Sequence, residues 1–368
     1  KLQKLTKENI QSKRSIENIN VYKGGKAKLN NNKRVIKLSS NENPYGASPK
    51  AIELLETKNI NHDLHRYPEI DGSSLREAIA KNFSIDSNRI ILGSGSDEVL
   101  LFAALAFCQD GDEILHANHG FEMYSIVSKV VGAVPKKIKE DVNFNLNIEN
   151  LIDQTNDATK VIYIASPNNP TGTYLSRDQL VKLMNSISKN IIVVIDGAYV
   201  EYVQKDDYDK GFSLTDEYEN IILTRTFSKT YGLAALRVGW CYTSQKIADI
   251  INKIKPPFNT TTISQSLAIK ALEDKEHIEN SVKLNSEIKD WFEKELKLLN
   301  IKTRQTEGNF TLIETSEEEA EKISNHLMND GIIIRRLNSY NLPNFLRISI
   351  GTKEEMNLTV ESLKKFNV

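Results

Sequence analysis

The sequence predicts an α/β protein with two domains. From about residue 89 to residue 255, short apolar runs alternate with segments of helical periodicity. Several of these runs are continuous and rich in β-branched residues, which is typical of strands buried on both faces of a parallel sheet. The chain has 368 residues, and single hydrophobic cores stop growing near roughly 250–300 residues. We therefore expect a large, mainly parallel α/β/α sheet domain and a smaller α+β domain.

Strands and helices alternate regularly in the predicted large domain. The predicted strands are RIIL (89–92), DEIL (112–115), KVIYIA (160–165), NIIVVID (190–196), NIILTRTF (220–227) and RVGWC (237–241). The predicted helices between them are SDEVLLFAALAF (96–107), MYSIVSKVV (123–131) and RDQLVKLMNSI (177–187). Because parallel strands need long crossover connections, this alternation favours a parallel sheet.

A second set of elements follows the segment KPPFNTTT (255–262). A helix-rich stretch over about 264–299 leads into further strands and helices. The predicted elements there are NFTLIE (309–314), EEAEKISNHLMND (318–330), GIIIRR (331–336), FLRISIG (345–351) and EEMNLTVESLKKF (354–366). Strands and helices in this order predict the smaller α+β domain.

Composition excludes several classes of protein. With 48 Lys and Arg against 49 Asp and Glu, the net charge is −1, which argues against a chain whose main task is binding nucleic acid. No segment reaches the roughly 18 consecutive apolar residues of a membrane span, and the first twenty residues lack the apolar core of a secretory signal. Cys108 and Cys241 stand far apart, as expected of buried free thiols in a reducing compartment. We expect a cytoplasmic protein.

An open parallel sheet binds ligands beyond the carboxyl ends of its strands. The first strand ends in GSGSDE (93–98), a glycine-rich turn that opens a helix and favours a phosphate site. A dinucleotide fingerprint would need glycine at the position of Glu98, and no G-x-x-x-x-G-K-[ST] follows any strand. Dehydrogenases and P-loop ATPases are therefore disfavoured, while an ordinary strand-to-helix turn remains an alternative.

Three other strand ends carry candidate functional residues. SPNNPTG (166–172) is either a rigid turn that fixes side-chain amides or an ordinary β-turn. Asp196 ends an apolar run, where a charge is costly unless it meets a cation or a donor. Lys229 follows another buried strand, and Arg237 comes eight residues later. A desolvated lysine beside a cation is typical of Schiff-base chemistry, and the alternative is a solvated loop lysine.

Together these motifs resemble the fold-type-I pyridoxal-phosphate transferases, and within them the histidinol-phosphate aminotransferase branch. The resemblance extends over nearly the whole chain. The segments that carry it are VYKGGK with Tyr22, SSNENPYG (39–46), HRYPE (65–69), GSGSDE, HGFEMY (119–124), SPNNPTG, DGAY (196–199), TFSKTYGLAALRVG (226–239), PFN (257–259), GIIIRRL (331–337) and LPNFLRISIGT (342–352).

The resemblance implies pyridoxal 5′-phosphate as the cofactor and gives several residues a role. Lys229 matches the catalytic lysine that binds the cofactor covalently and moves a proton on the substrate. Asp196 matches the carboxylate that keeps the pyridine nitrogen protonated. Asn169 and Tyr199 match the pair that hydrogen-bonds the phenolic oxygen of the ring, and Tyr199 is counted with the catalytic residues. Phe121 matches the aromatic residue that stacks on the face of the ring.

The resemblance also implies a phosphate cup that is completed by a second subunit. Within the chain, the cup residues are Ser96, Asp97, Thr226, Ser228 and Arg237. The bidentate guanidinium of an arginine suits a phosphate dianion better than a lysine would. Tyr67 matches a tyrosine that reaches this phosphate from the partner subunit, which implies a homodimer.

Three further residues match the family's substrate contacts. Arg347 matches the arginine that binds the α-carboxylate of glutamate or 2-oxoglutarate. Tyr22 and Arg335 match residues that bind the phosphate of histidinol phosphate, although a surface cation at a strand end is the alternative for Arg335. The expected activity is ping-pong transamination between histidinol phosphate and 2-oxoglutarate, in histidine biosynthesis.

The family's domain plan differs from two sequential halves. It implies a large cofactor domain over residues 41–275 and a small domain formed by residues 1–40 together with residues 276–368. His116 and His119 lack a carboxylate partner at metal-site spacing, so we expect no metal site. The partners implied are small-molecule amino donors and acceptors, with no nucleic acid and no membrane.

Departures from the family pattern leave the substrate open. DGAY replaces the commoner DEAY, and HGFEMY resembles a form found in members that also accept aromatic amino acids. Both changes are expected near the wall of the substrate pocket. The alternatives are an aromatic aminotransferase of overlapping specificity, a decarboxylase of a phosphorylated amino acid, and a non-catalytic cofactor-binding regulator.

Overall fold

The computed structural model describes residues 10–29, 34–57 and 63–366. The predicted small domain includes residues 1–9, 30–33 and 367–368, and these lie outside the described residues. The division of the chain after residues 40 and 275 stays a prediction.

The described residues form thirteen strands and twelve α-helices, which closely follow the predicted order. The strands are β1 (Ile36–Lys37), β2 (Ile90–Gly93), β3 (Glu113–Ala117), β4 (Val134–Ile138), β5 (Thr159–Ala165), β6 (Ile192–Asp196), β7 (Ile221–Thr226), β8 (Gly239–Thr243), β9 (Lys302–Arg304), β10 (Phe310–Glu314), β11 (Ile332–Ile333), β12 (Arg335–Leu337) and β13 (Leu342–Ser349). The helices are α1 (Pro49–Glu56), α2 (Ser73–Phe83), α3 (Ser96–Phe107), α4 (Glu122–Val131), α5 (Ile148–Asp153), α6 (Arg177–Ser186), α7 (Leu214–Glu217), α8 (Gln245–Asn252), α9 (Thr262–Glu273), α10 (Lys275–Leu298), α11 (Glu317–Asn329) and α12 (Lys353–Phe366).

A seven-stranded sheet forms the larger part of the molecule, with strand order β2-β8-β7-β6-β5-β3-β4. All pairs from β7 to β4 are parallel, which confirms the predicted mainly parallel sheet. The strand predicted at 237–241 differs, because β8 runs antiparallel to both β2 and β7. The connection from β7 to β8 contains only a short 3₁₀ turn and lacks the crossover helix that a parallel pair requires.

Both faces of this sheet are buried, as the apolar runs predict. On β6, Ile192 and Val194 pack on the side of α3, α4 and α8. Val193 and Ile195 pack on the opposite side, with α2, α6 and α9. Only the strand ends then remain free to carry polar side chains, and Asp196 occupies the end of β6.

The sequence analysis missed β4, which lies at the edge of the sheet. This strand contains Pro135 together with Lys136 and Lys137. Proline and lysine are tolerated on edge strands because one side of such a strand makes no ladder hydrogen bonds. An edge strand of this composition lacks the apolar pattern on which the strand predictions rested.

The small sheet has four antiparallel strands in the order β12-β13-β10-β9. It packs with α10, α11 and α12, and together they form the second, smaller core. The predicted strand 331–336 is split, because β11 pairs in parallel with β1 whereas β12 joins β13. The segment that contains β1 therefore packs with C-terminal elements, and this supports the small domain that we propose.

The structure bears on two expectations drawn from composition, the burial of both cysteines and the absence of a membrane span. Both cysteines are free thiols, but only Cys241 is buried, and Cys108 at the end of α3 is partly exposed. Within the described ranges, the structure contains no helix that is long and apolar enough to span a membrane.

Candidate active site

A cavity of about 260 Å³ lies at the carboxyl ends of the parallel strands, between the large sheet and the small one. Every predicted site residue except Tyr67 lines it. The residues brought together are Tyr22, Ser96, Asp97, Phe121, Asn169, Asp196, Tyr199, Thr226, Ser228, Lys229, Arg237, Arg335 and Arg347. Segments that lie up to 325 positions apart, from Tyr22 to Arg347, thus meet in one place.

The cup for an anion begins where α3 begins. Gly95 precedes the helix with φ of +79°, and a Cβ atom there would lie 2.4 Å from Nη2 of Arg237. Only glycine allows this backbone and this close approach. The guanidinium is thus held beside the first N–H groups of α3, which have no partner within the helix. A cation and a helix N-terminus together favour a phosphate group.

Hydroxyl groups complete the cup. Arg237 donates to Oγ of Ser228 at 3.2 Å and to the carbonyl oxygen of Ala234 at 3.0 Å. The backbone N–H of Ser228 donates to Oγ1 of Thr226 at 3.0 Å. The carboxylate of Asp97 lies 3.9 Å from Arg237. The guanidinium is therefore oriented by neutral acceptors and one distant carboxylate, and it keeps donors for a ligand.

Asp196 is buried at the end of β6, and its partners are neutral. Its Oδ2 accepts a hydrogen bond from the hydroxyl of Tyr124 at 2.7 Å, and its Oδ1 accepts from Thr224 and from the N–H of Ala198 at 3.3 and 3.2 Å. Burial raises the pKa of the Asp196 carboxyl, and the hydrogen bond from Tyr124 opposes this rise. A cationic ligand group at this carboxylate would offset the cost of its burial.

Lys229 lies across the cavity on the segment that follows β7. Its Nζ donates to the carbonyl oxygen of Ser40 at 2.8 Å and lies 5.7 Å from the centre of the Tyr199 ring. Both are uncharged neighbours. Neither contact is an ion pair. A covalent bond to Nζ could therefore replace both contacts without leaving a charged partner of Lys229 buried and unpaired.

Residues 39–41 contact three of the predicted site residues in succession. The carbonyl oxygen of Ser39 accepts from Arg347, and that of Ser40 accepts from Lys229. The side-chain amide of Asn41 donates to the hydroxyl of Tyr199 at 3.0 Å. Ser349 on β13 exchanges two hydrogen bonds with Asn41. This segment links the small sheet to the groups at the ends of β6 and β7.

Two arginines stand side by side on the wall of the cavity that β12 and β13 form. Arg335 on β12 and Arg347 on β13 are register partners. Arg347 is buried and donates to Oδ1 of Asn169 and to the carbonyl oxygen of Ser39, while its Nε has no partner in the described part of the chain. Arg347 has neutral partners and stands beside a second cation, so this wall favours anions.

Arg335 has weaker contacts than its neighbour. It donates to the carbonyl oxygen of Lys23 at 3.0 Å and lies 3.8 Å from the carboxylate of Glu122. Tyr22 and Phe121 pack edge to face beside it, 6.2 Å apart. This end of the cavity therefore combines an aromatic surface with a cation, and it suits a ligand that has both a ring and an anionic group.

Tyr67 is the one predicted site residue that the structure leaves outside the cavity. Its side chain is 82 % exposed. Its ring stacks on Phe258 of the PFN segment at 4.6 Å. The role in a partner's site that the resemblance gives to Tyr67 stays a prediction.

Tyr124 and Asn41 are among the residues of the site that sequence reasoning missed. Tyr124 and Asn41 each lie in a segment that carries the family resemblance, HGFEMY and SSNENPYG. Tyr124 comes three positions after Phe121, which precedes the first residue of α4, and the two rings lie 5.8 Å apart, so this spacing could have indicated it. Asn41 has φ of +55°, for which no sequence signal beyond the motif itself was present.

Gly197, where the sequence has DGAY instead of the commoner DEAY, lies next to Arg225 in the structure. Gly197 does not line the cavity but packs against Arg225, and a Cβ atom there would lie 2.2 Å from Nη1 of that arginine. Its neighbours Asp196 and Ala198 do line the cavity, and the expectation that Gly197 lies near the wall of the substrate pocket stays a prediction. The larger residue of the commoner DEAY form would require Arg225 to move.

Comparison with known proteins agrees with this arrangement. Residues 33–363 match the family model described as aminotransferase class I and II. Histidinol-phosphate aminotransferases from Dinoroseobacter shibae and Pelagibacter ubique are 40 % and 39 % identical, each over 95 % of this chain and over 96 % and 97 % of their own lengths.

Solved structures share the fold. That of histidinol-phosphate aminotransferase from Sinorhizobium meliloti in complex with pyridoxal-5′-phosphate has a TM-score of 0.84 at 23 % identity and covers 90 % of this chain and 91 % of its own. That of the aromatic aminotransferase from Pyrococcus horikoshii has a TM-score of 0.76 at 22 % identity, with 90 % and 95 % covered. The chain belongs to the class I and II aminotransferases.

Proposed function

We propose that the chain is a histidinol-phosphate aminotransferase that uses pyridoxal phosphate. The reaction converts histidinol phosphate and 2-oxoglutarate into imidazole-acetol phosphate and glutamate. The observation that carries the proposal is the pair of adjacent arginines in the same cavity as Lys229, because the two substrates present different anions to one site. Arg347 suits the α-carboxylate of glutamate, and Arg335, beside the aromatic rings, suits the phosphate of histidinol phosphate.

The cavity fits the proposed cofactor at three separate points. The cup formed by Gly95, the start of α3 and Arg237 fits its phosphate. The buried carboxylate of Asp196 has only neutral partners among the described residues, and a protonated pyridine nitrogen would supply the missing cation. Lys229 supplies an amine for the carbonyl group. When bound, pyridoxal phosphate supplies an electron sink for charge that develops at the substrate's Cα.

The chain's own residues then carry the remaining tasks. Lys229 Nζ moves the proton at the substrate's Cα, from the position that its hydrogen bond to the carbonyl oxygen of Ser40 gives it. Tyr124 and Thr224 hold the carboxylate of Asp196 in place. Asn41 orients the hydroxyl of Tyr199. Arg347 and Arg335 fix the anionic ends of the two substrates, so that both present their reacting carbon to the same amine.

An aromatic aminotransferase activity is the second candidate. Tyr22, Phe121 and Tyr340 all line the cavity, and rings of this kind pack well against the side chain of phenylalanine or tyrosine. Such a substrate would use Arg347 but not Arg335. The two candidates therefore differ in their dependence on a single residue.

Replacement of Lys229 tests the transaminase assignment as a whole. In Lys229→Ala, we expect turnover to fall by about 10²–10⁴-fold or more, because the general base is removed. The visible absorbance of the covalently bound cofactor should be lost as well. Both are measured on purified protein with added pyridoxal phosphate, with the exposed Lys246→Ala as the control. A Lys229→Ala variant that kept turnover and absorbance would refute the assignment.

Replacement of Arg335 separates the two candidate substrates. A charge-assisted hydrogen bond contributes about 1.5–3 kcal/mol, so Arg335→Gln should lower kcat/KM for histidinol phosphate by about 10- to 100-fold. The value for phenylalanine in the same variant should stay within about threefold, because that substrate carries no phosphate. Equal losses on both substrates would contradict the role that we give to Arg335. A wild-type enzyme that prefers phenylalanine would favour the second candidate.

The phosphate cup can be tested with a matched pair of glycines. Gly95 and Gly111 both have positive φ, but a Cβ atom at Gly111 would meet no other atom within 4 Å. Each change to alanine should cost about 1–3 kcal/mol of stability through backbone strain. Only Gly95→Ala should weaken the binding of pyridoxal phosphate, by at least about tenfold, because it displaces Arg237. Cofactor titration decides this, and equal affinities in the two variants would argue against the cup.

We propose a homodimer in which Tyr67 completes the partner's cofactor site. The exposed aromatic pair of Tyr67 and Phe258 supports this, because exposed aromatic rings are enriched at subunit interfaces. Co-expression of Tyr67→Ala with Lys229→Ala provides the test, since mixed dimers would contain one site with neither change. The mixture should exceed the mean activity of the separate variants. An activity equal to that mean, or a fully active monomer by light scattering, would contradict the proposal.

A further inference from the structure

A second cavity, of about 850 Å³, adjoins the active site. It lies between residues 19–23, helix α4 and the segment that follows β12, and we call it the vestibule. Tyr22, Phe121, Arg335 and Tyr340 line both cavities. These four side chains thus lie between the vestibule and the proposed substrate site, and the proposed mechanism uses none of the other vestibule residues named below.

The vestibule is strongly basic. Its cations are Lys23, Lys129, Lys137, Arg335 and Arg336, against the single carboxylate of Glu122. Within the described part of the chain, the three lysines form no ion pair. The nearest carboxylate to Arg336 is that of Glu321 outside the cavity, at 3.8 Å. So many cations around one cavity repel each other, and a bound anion would relieve this repulsion.

His116 adds a second, independent feature to this cavity. Its side chain is 3 % exposed and lines the vestibule. Nδ1 lies 2.8 Å from the carbonyl oxygen of Ala117, which can only accept, so Nδ1 carries the proton and Nε2 is an acceptor. Nε2 has no hydrogen-bond partner among the described residues. Burial lowers the pKa of His116 to about 4, so the ring is neutral near pH 7.

The fold places the lysines and this acceptor on one side of the sheet. His116 on β3 and Lys137 on β4 are register partners in a parallel pair, so their side chains leave the same face. Helix α4 covers that face, and Lys129 lies in its last turn. Regular elements therefore position the backbones of Lys129, Lys137 and His116 around the vestibule.

A phosphate group matches both features. Its oxygens accept from several ammonium groups, and a phosphate that keeps a proton, as inorganic phosphate does at pH 7, also has a P–OH that can donate to Nε2 of His116 after a small shift of the residues that bury this atom. A carboxylate at neutral pH has no such donor. We propose that the vestibule is a second phosphate-binding site, which holds a phosphorylated small molecule before its entry into the active site. The binding stands on the vestibule alone, whereas the delivery rests on the proposed function.

Binding is tested with inorganic phosphate and the holoenzyme, by calorimetry at low ionic strength and pH 7. Lys129→Gln/Lys137→Gln should weaken binding at least tenfold or remove one phosphate per chain. The control, Lys246→Gln/Lys283→Gln, changes two exposed lysines and the net charge equally, and it should behave as the wild type. Equal phosphate binding in the two double variants would overturn the proposal.

Sulfate serves as a second probe, because it has the charge of a phosphate dianion but no proton at pH 7. Phosphate should bind more tightly than sulfate to the wild-type vestibule, by at least threefold. Equal affinities would remove His116 from the site and overturn the assignment to phosphate in favour of a general anion site.

Delivery is tested through kinetics with histidinol phosphate. In Lys129→Gln/Lys137→Gln, kcat/KM should fall several-fold at low ionic strength while kcat is unchanged, and the difference should close as added salt screens the charges. A value equal to that of the control variant would overturn delivery. If the wild-type enzyme does not turn over histidinol phosphate, the proposed function fails, but phosphate binding still decides whether the vestibule is a phosphate site.

Discussion

The arrangement of the site depends on one constraint, the burial of the Asp196 carboxylate at the end of a strand that is itself buried. A charge in this position is costly unless donors surround it, and Tyr124 and Thr224 are held there by α4 and β7. Tyr124 stacks on Tyr163 of β5 at 4.9 Å. The packing on the α4 side of the sheet therefore fixes the hydrogen bonds of the carboxylate as well as the core. A cationic group on a ligand would offset the part of the burial cost that these neutral donors do not offset.

The positions of Arg347, Lys229 and Tyr199 depend on residues 39–41. The carbonyl oxygens of Ser39 and Ser40 accept hydrogen bonds from Arg347 and Lys229. The side-chain amide of Asn41 donates to the hydroxyl of Tyr199 and orients it. Asn309 donates to the carbonyl oxygen of Asn41 from the small sheet at 2.9 Å. A short segment thus holds groups from two sheets in one geometry. Movement of the small sheet relative to the large one would change the contacts of Lys229 and Arg347 together.

The sequence was informative wherever function follows from local pattern. The ends of β2, β6 and β7 were predicted because buried parallel strands leave their polar residues at the carboxyl edge. The direction of β8, the edge strand β4 and the division of 331–336 between two sheets were not predicted, since each depends on pairing with distant segments. Tyr124 was missed for a related reason, because its partner Asp196 lies 72 positions away. The exposed position of Tyr67 in the chain could be read from no local pattern.

The net charge is likewise a sequence property that does not show which charges the fold brings together. The total of −1 argues against nucleic acid, but the distribution of charge decides what the protein attracts. Arg335 and Arg347 become neighbours only because β12 and β13 pair in one register, and the lysines of the vestibule meet only because α4 covers β3 and β4. Glu122 lies between the two groups of cations, 3.8 Å from Arg335. A carboxylate here lowers the affinity of Arg335 for any anion. In the role that we propose for Arg335, this carboxylate would shorten the residence of a phosphorylated ligand, and it would thereby favour release of the phosphorylated product in every cycle.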